Sequence, residues 1–187
     1  LVEEDTPMIW RGPMVTQALE QLLTDTNWKD VDYLIIDLPP GTGDVQLTLC
    51  QKIPVSGAVI VTTPQDISLI DARKGLKMFE KVEVPVLGIV ENMSTHVCKK
   101  CGHIESIFGE GGGEQLASEA GVKLLGELPL EKQIREEMDK GTPTVSSNPM
   151  DPASLAYREI ARKMTATLSM RKKDYSSAFP KIVIQND

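Results

Sequence analysis

Apolar residues along this chain fall into two rhythms, and the two alternate. Residues 13–24 carry Met14, Val15, Ala18, Leu19, Leu22 and Leu23 at three- and four-residue spacing, which lays one apolar stripe along a helix. Val31 to Asp37 (Val-Asp-Tyr-Leu-Ile-Ile-Asp) is instead a short apolar run, ended by Pro39-Pro40-Gly41. A run of that length and flank predicts a strand buried on both faces. Gly57 to Thr63 and Val86 to Val90 predict two more such strands, and Lys123 to Leu128 a fourth. Helices are expected between them: about 45–52 with Asp44 as its cap, from Asp66 or Ser68 to about Lys81, and roughly 114–120 and 131–140. The last long helix spans Ala153 to Met170, with Leu155, Ile160, Met164 and Leu168 expected to face inward. Residues 92–113, and 141–152 with Pro143, Pro149 and Pro152, read as loops.

Apolar strands alternating with helices require helices on both sheet faces, so the fold class is α/β, with a doubly wound, mainly parallel sheet. Residues 1–170 are expected to form one domain and residues 171–187 a tail. Arg171-Lys172-Lys173 are explained by the preference for cations at a helix C-terminus. Ligands in such sheets bind beyond the carboxyl ends of the strands, so residues 37–44, 62–66, 91–94 and 128–130 are where chemistry is expected.

Charge and composition narrow the partners. The formal net charge of −7 weighs against nucleic acid as a main partner, because phosphate binding needs a basic face. No apolar run reaches the roughly 20 residues that span a bilayer, so no membrane partner is expected. No signal-peptide pattern opens the chain, and Leu1-Val2-Glu3-Glu4-Asp5 reads as the interior of a longer sequence. Three cysteines, Cys50, Cys98 and Cys101, do not make a disulfide framework; the odd count fits a reducing compartment. Cys50 lies among apolar residues of a helix and reads as a small core residue.

Two places carry chemistry. An acidic residue closing a buried strand, as Asp37 does, is costly unless paired or bound to a cation. A nucleotide site uses such a carboxylate to hold Mg²⁺, often through water, and Gly41 would let backbone approach a phosphate. The alternative is an aspartate that caps the next turn. The second place is Cys98-Lys99-Lys100-Cys101-Gly102, where two thiols from one tight turn can reach one metal and the lysines favour thiolate. One pair does not complete a site. A two-fold dimer would bring four thiolates together, or His96 and His103 would complete a zinc site within one chain; a redox dithiol is disfavoured, and two unliganded thiols remain a reading. Asn92 follows a buried strand, where its amide suits a base edge or an ordinary turn. Gly109-Glu110-Gly111-Gly112-Gly113 lacks the Lys-Ser/Thr of a phosphate loop and reads as a flexible hinge.

The string Tyr33-Leu34-Ile35-Ile36-Asp37-Leu38-Pro39-Pro40-Gly41-Thr42-Gly43-Asp44 closely resembles the Walker B and switch II segment of Mrp/ApbC ATPases. Glu91-Asn92-Met93-Ser94, the Cys-x-x-Cys-Gly, Ile107-Phe108-Gly109 and Glu114-Gln115-Leu116-Ala117 follow the same family's order and spacing. The resemblance covers about residues 8–170 and implies a P-loop NTPase fold of the MinD/ParA-like type, N-terminally truncated. It implies Asp37 as the Walker B carboxylate and sole catalytic residue assigned, Gly41 facing the γ-phosphate, and Asn92, Pro129 and Leu130 beside the adenine. It also implies Cys98 and Cys101 as ligands of a labile [4Fe-4S] cluster bridging a homodimer, with His96 and His103 as surface loop residues. The function implied is a cytoplasmic, ATP- and Mg²⁺-dependent carrier that passes the cluster to apo iron–sulfur proteins. A MinD/ParA-like partitioning ATPase shares the nucleotide half but needs no cysteine pair; a non-enzymatic zinc-binding module would be colourless. The family's Gly-Lys-Gly-Gly-Val-Gly-Lys-Ser/Thr loop has no match here, so this chain by itself is expected neither to bind ATP tightly nor to hydrolyse it. The strand preceding that loop would lie inside the sheet, so its absence is expected to leave backbone edges open.

Overall fold

The computed structural model describes residues 12–38 and 43–171. Its elements in chain order are α1 (Gly12–Thr24), α2 (Asp44–Lys52), β1 (Ala58–Thr62), α3 (Asp66–Lys81), β2 (Val86–Glu91), β3 (His96–Val97), β4 (Ile104–Glu105), α4 (Gly112–Ala120), β5 (Leu124–Glu127), α5 (Lys132–Asp139), α6 (Thr144–Ser147) and α7 (Pro152–Ser169).

β1, β2 and β5 form a parallel sheet in the order β1-β2-β5, with Ile60 beside Ile89 and Val90 beside Gly126. Side chains alternate across a strand, and the burial follows. Ile60 and Ile89 point into one cluster with Leu69, Ala72, Met78 and Phe79 of α3 and Leu116 and Ala117 of α4. Val59, Val90 and Leu125 point the other way, against Ala156, Tyr157, Ile160 and Met164 of α7. Both faces are covered, which is why these strands read as unbroken apolar runs, and the doubly wound parallel sheet is present as expected. α7 starts cleanly: Asp151 caps it by accepting from the Ala153 N–H at 2.9 Å, and Pro152 occupies its first turn, where no N–H is missed.

Several expectations are corrected. The run 31–37 forms no strand; it is irregular, and Tyr33, Leu34 and Ile35 are exposed, Ile35 at 72%. An apolar run becomes a strand only when a neighbour supplies ladder bonds, and among the described residues the sheet ends at β1 with nothing paired on its far side. The segment 92–113 is not featureless. It folds as a hairpin, β3 against antiparallel β4, with Val97 opposite Ile104. These strands are two residues each, too short for alternation to show in sequence. The 141–152 connection contains α6. Leu155 is exposed rather than inward: its neighbours Ala153, Ser154, Ala156 and Tyr157 take the inner face of α7, which leaves Leu155 on the outer one. Gly41 and most of the 171–187 tail lie outside the described residues.

Candidate functional site

The carboxyl ends of β1, β2 and β5 are tied together by hydrogen bonds that also carry the chain into the cysteine hairpin. The Asn92 N–H donates to Thr62 O at 2.7 Å, and the Leu128 N–H to Glu91 O at 2.8 Å. Ser94 donates through both its N–H (3.0 Å) and its hydroxyl (3.2 Å) to Leu128 O. The Leu130 N–H then donates to Thr95 O at 2.8 Å, and His96 Nδ1 sits 2.9 Å from Leu130 O. Asn92, Pro129 and Leu130 are thereby brought to one end of the sheet, all half-buried. The Asn92 side-chain oxygen accepts from the Met93 N–H at 2.9 Å, holding Met93 at φ 57, so in this conformation the amide serves the turn. Asp37 lies apart from a strand end and is exposed.

Cys98 and Cys101 occupy the turn joining β3 to β4. The turn is closed by Gly102 N–H to Cys98 O (2.8 Å) and Cys98 N–H to His103 O (2.9 Å), and Gly102 takes φ +72, where a side chain would be strained. Backbone N–H groups of Cys101 and then Lys100, followed by the Cys101 thiol, hydrogen-bond the Cys98 sulfur and lower its pKa; partial burial opposes them weakly and the His96 charge adds to them. These neighbours favour the thiolate form of Cys98 over the thiol. Cys98 is half-buried and Cys101 exposed, and both are free thiols. No group of three or more His, Cys, Asp or Glu side chains converges on a metal position among the described residues. His96, expected on the surface, is half-buried with Nδ1 at the Leu130 carbonyl, and His103 is exposed. The donor set is thus two thiols, which fits one half of a four-thiolate cluster site and not a closed mononuclear one.

Cys50 is buried as expected, and burial raises its pKa. The last two glycines of the run are not part of a hinge. Gly112 and Gly113 are buried in the first turn of α4, where a Cβ would come within 2.7 Å of Leu69 Cδ1 and 2.9 Å of Glu91 Cβ respectively. Gly113 permits close approach of α4 to the end of β2, and Gly112 close approach to Pro64 and α3.

Sequence reasoning passed over Glu91. Its side chain ends β2 only 2% exposed, and a carboxylate oxygen accepts the Gly113 N–H. The available signal was a charge closing an otherwise apolar strand, the same signal that singled out Asp37. Burial pushes the Glu91 carboxyl above the usual carboxylate range; the Gly113 N–H opposes this, and Glu127 and Glu114 reinforce it. With its folded pKa raised, the folded state holds this proton more tightly than the unfolded one. Stability contributed by Glu91 is therefore present at low pH and lost as pH rises through the folded pKa. Glu119, Glu136 and Glu137 are shifted downward and slope the opposite way. The expected outcome is a difference: between pH 4 and 7, Glu91→Gln loses less stability on raising pH than wild type, read from urea midpoints at each pH.

Residues 1–165 match the family model described as ParA: NUBPL iron-transfer P-loop NTPase. The chain belongs to that family. The iron–sulfur cluster carrier protein of Pseudomonas fragi is 61% identical over 161 residues, covering 86% of this chain and 56% of that protein. The iron–sulfur cluster carrier protein of Escherichia coli K12 is 61% identical over 168 residues, 90% of this chain and 46% of its own length. The iron–sulfur cluster transfer protein NUBPL of Mus musculus is 52% identical over 168 residues, 90% of this chain and 53% of its own. The chain thus spans about half the length of these relatives of the NUBPL iron-transfer family. Among solved structures, the nucleotide-binding protein of Archaeoglobus fulgidus, in complex with ADP and with cobalt, is 35% identical, with TM-score 0.65 over 77% of this chain and 58% of that one. The Pyrococcus furiosus cell-division ATPase MinD, 21% identical with TM-score 0.59 over 83% of this chain and 59% of its own, shares the fold. No helix among the described residues is long and apolar enough to cross a membrane.

Proposed function

We propose that this chain carries iron–sulfur clusters as cargo: Cys98 and Cys101 hold one side of a [4Fe-4S] cluster, and the same pair of a second copy holds the other. The observation that carries this reading is the turn itself, in which two thiols share one backbone loop, N–H groups face the Cys98 sulfur, and no third ligand stands nearby among the described residues. A four-iron cluster takes about four thiolates, and a two-fold axis doubles a pair without asking the chain for more ligands. Both thiols are accessible, as is required of a group that must be received and handed on to apo-proteins. The family names of the relatives support cargo of this kind.

The nucleotide half is proposed on the same footing. Asp37 would hold Mg²⁺ through water, Gly41 would admit the γ-phosphate, and Asn92, Pro129 and Leu130 would flank the base of ATP in a cytoplasmic hydrolase whose nucleotide state alters the dimer. Supporting this are the assembly of the last three residues at one end of the sheet and the ADP bound by the Archaeoglobus relative.

The test is anaerobic supply of iron and sulfide to the purified chain. The expected result is a brown protein with about four iron atoms per two chains, sedimenting as a dimer. A colourless protein that takes up zinc, or one that stays monomeric and free of iron, overturns the proposal.

A further inference from the structure

Resting on that reading of the cysteine turn, we infer that Glu91 is a positioning residue for the metal: its buried carboxylate clamps the two ends of the cysteine-bearing segment together. The segment leaves the sheet at Asn92, immediately after Glu91, and returns at Gly113, whose N–H the Glu91 carboxylate accepts. One side chain therefore spans the mouth of a loop of more than 20 residues. The Glu91 backbone is anchored independently, with its carbonyl accepting the Leu128 N–H and its strand paired to both neighbours. The carboxylate is thus free of other structural duty on the ladder.

The fit is close from the helix side too. Gly113 has no room for a Cβ, which would lie 2.9 Å from Glu91 Cβ and 3.0 Å from its Oε2. A buried carboxyl facing Glu127 and Glu114 is a costly way to satisfy one N–H. An apolar residue at the end of β2 would pack as Ile89 and Val90 do. What the carboxylate provides is length and direction: it reaches from the sheet to the first turn of α4 and fixes where the returning chain enters. Past the clamp, the outgoing arm is held by the Ser94, Thr95 and His96 bonds to Leu128 and Leu130, while the returning arm is held by close packing, Gly109 and Gly112 lying against Pro64. Residues 106–111 on the other side end at the first turn of α4, which core packing of Leu116 and Ala117 holds and which the Glu91–Gly113 bond ties directly to the end of β2. Glu91 touches no thiol; it acts by limiting how far the two arms of the hairpin can splay, and so how well the two sulfurs are kept at one metal's distance.

The experiment uses Co(II), whose thiolate charge-transfer absorption reports two sulfurs on one ion, and hydrogen exchange of the 92–113 amides in the metal-free protein. Three variants separate the possibilities. Glu91→Gln keeps an acceptor oxygen at the same reach, Glu91→Asp keeps the charge but falls one methylene short, and Glu91→Leu keeps only bulk. The expected result is Co(II) affinity within about threefold of wild type for Glu91→Gln and about tenfold or more weaker for the other two. Exchange should rise in 92–113, with β1, β2 and β5 amides unchanged. Should Glu91→Leu fail to fold, the Asp and Gln variants decide alone. Equal Co(II) affinity in all folded variants, or losses that merely track the folded fraction, overturns the inference while leaving the cysteine site intact. A wild-type protein that binds no Co(II) through sulfur overturns the cysteine reading itself.

Discussion

Cys98→Ser, and equally Cys101→Ser, is expected to reduce reconstituted iron and sulfide to background while leaving the melting temperature within about 1–2 °C of wild type, since surface changes away from packing features are usually small. The two halves of that result have separate causes. The serine hydroxyl is far too weak an acid to ionise at neutral pH and is a hard donor where iron in a cluster wants a soft one. In a two-fold site each substitution is counted twice, so one mutation removes two of four ligands. Folding is spared because Cys101 is exposed and Cys98 only half-buried, in a turn held by backbone bonds, Gly102 to Cys98 and Cys98 to His103, that a serine preserves. Cys50→Ser supplies the contrast. That thiol is 7% exposed and packed in the main apolar cluster, so the change is expected to cost about 1 kcal/mol or more in stability, with iron uptake per folded chain intact. Iron retained by Cys98→Ser at wild-type stoichiometry would place the metal elsewhere.

The contrast between those cysteines was legible in the sequence because spacing and context are local properties. So were β1, β2 and β5, whose apolar runs end up covered on both faces. Val31 to Asp37 has the unbroken apolar stretch Tyr33 to Ile36 and yet forms no strand, because a strand's existence is settled by its neighbours' backbones, and a run of side chains says nothing about those. The glycines teach the same lesson from the other side. Read in isolation, Gly109 to Gly113 means freedom; in the fold, Gly112 and Gly113 mean contact, with Leu69 and Glu91 pressed where side chains would have been. His96 reached Leu130 across 34 positions, a pairing that no local pattern announces. Glu91 was visible as a charge at the end of an apolar strand, but its partner at Gly113 was not. The parts of the site set by one stretch of chain could be read; the parts set by two stretches meeting could not.

Gly88→Ala isolates that second kind of information. Gly88 lies in the middle of β2, and nothing in Val86-Leu87-Gly88-Ile89-Val90 distinguishes it from a weak spot in a strand. A Cβ there would stand 2.6 Å from the Lys123 backbone oxygen and 2.6 Å from Leu125 Cγ. Leu125 is fully buried between the sheet and α7, so its side chain has no empty space to enter. Lys123 O cannot withdraw without lengthening the bond it accepts from the Ile89 N–H, 2.9 Å, where β5 joins the sheet. One added methyl therefore presses on β5 through its backbone and its core side chain at once. Overpacking of this kind costs about 2–3 kcal/mol, which for a domain of this size lowers the melting temperature by roughly 5–10 °C. Gly88 also takes a positive φ, +158, that side chains rarely adopt, so Gly121→Ala is the matched control: its Cβ would meet open space, and its φ of +65 alone penalises it, by about 1 kcal/mol. If close approach of β2 to β5 governs, Gly88→Ala melts well below Gly121→Ala, and equal melting temperatures would mean that β5 shifts aside freely. That freedom would matter beyond stability, because the strand that would have to move leads directly to Leu128 and Leu130, the residues on which the cysteine hairpin is hung.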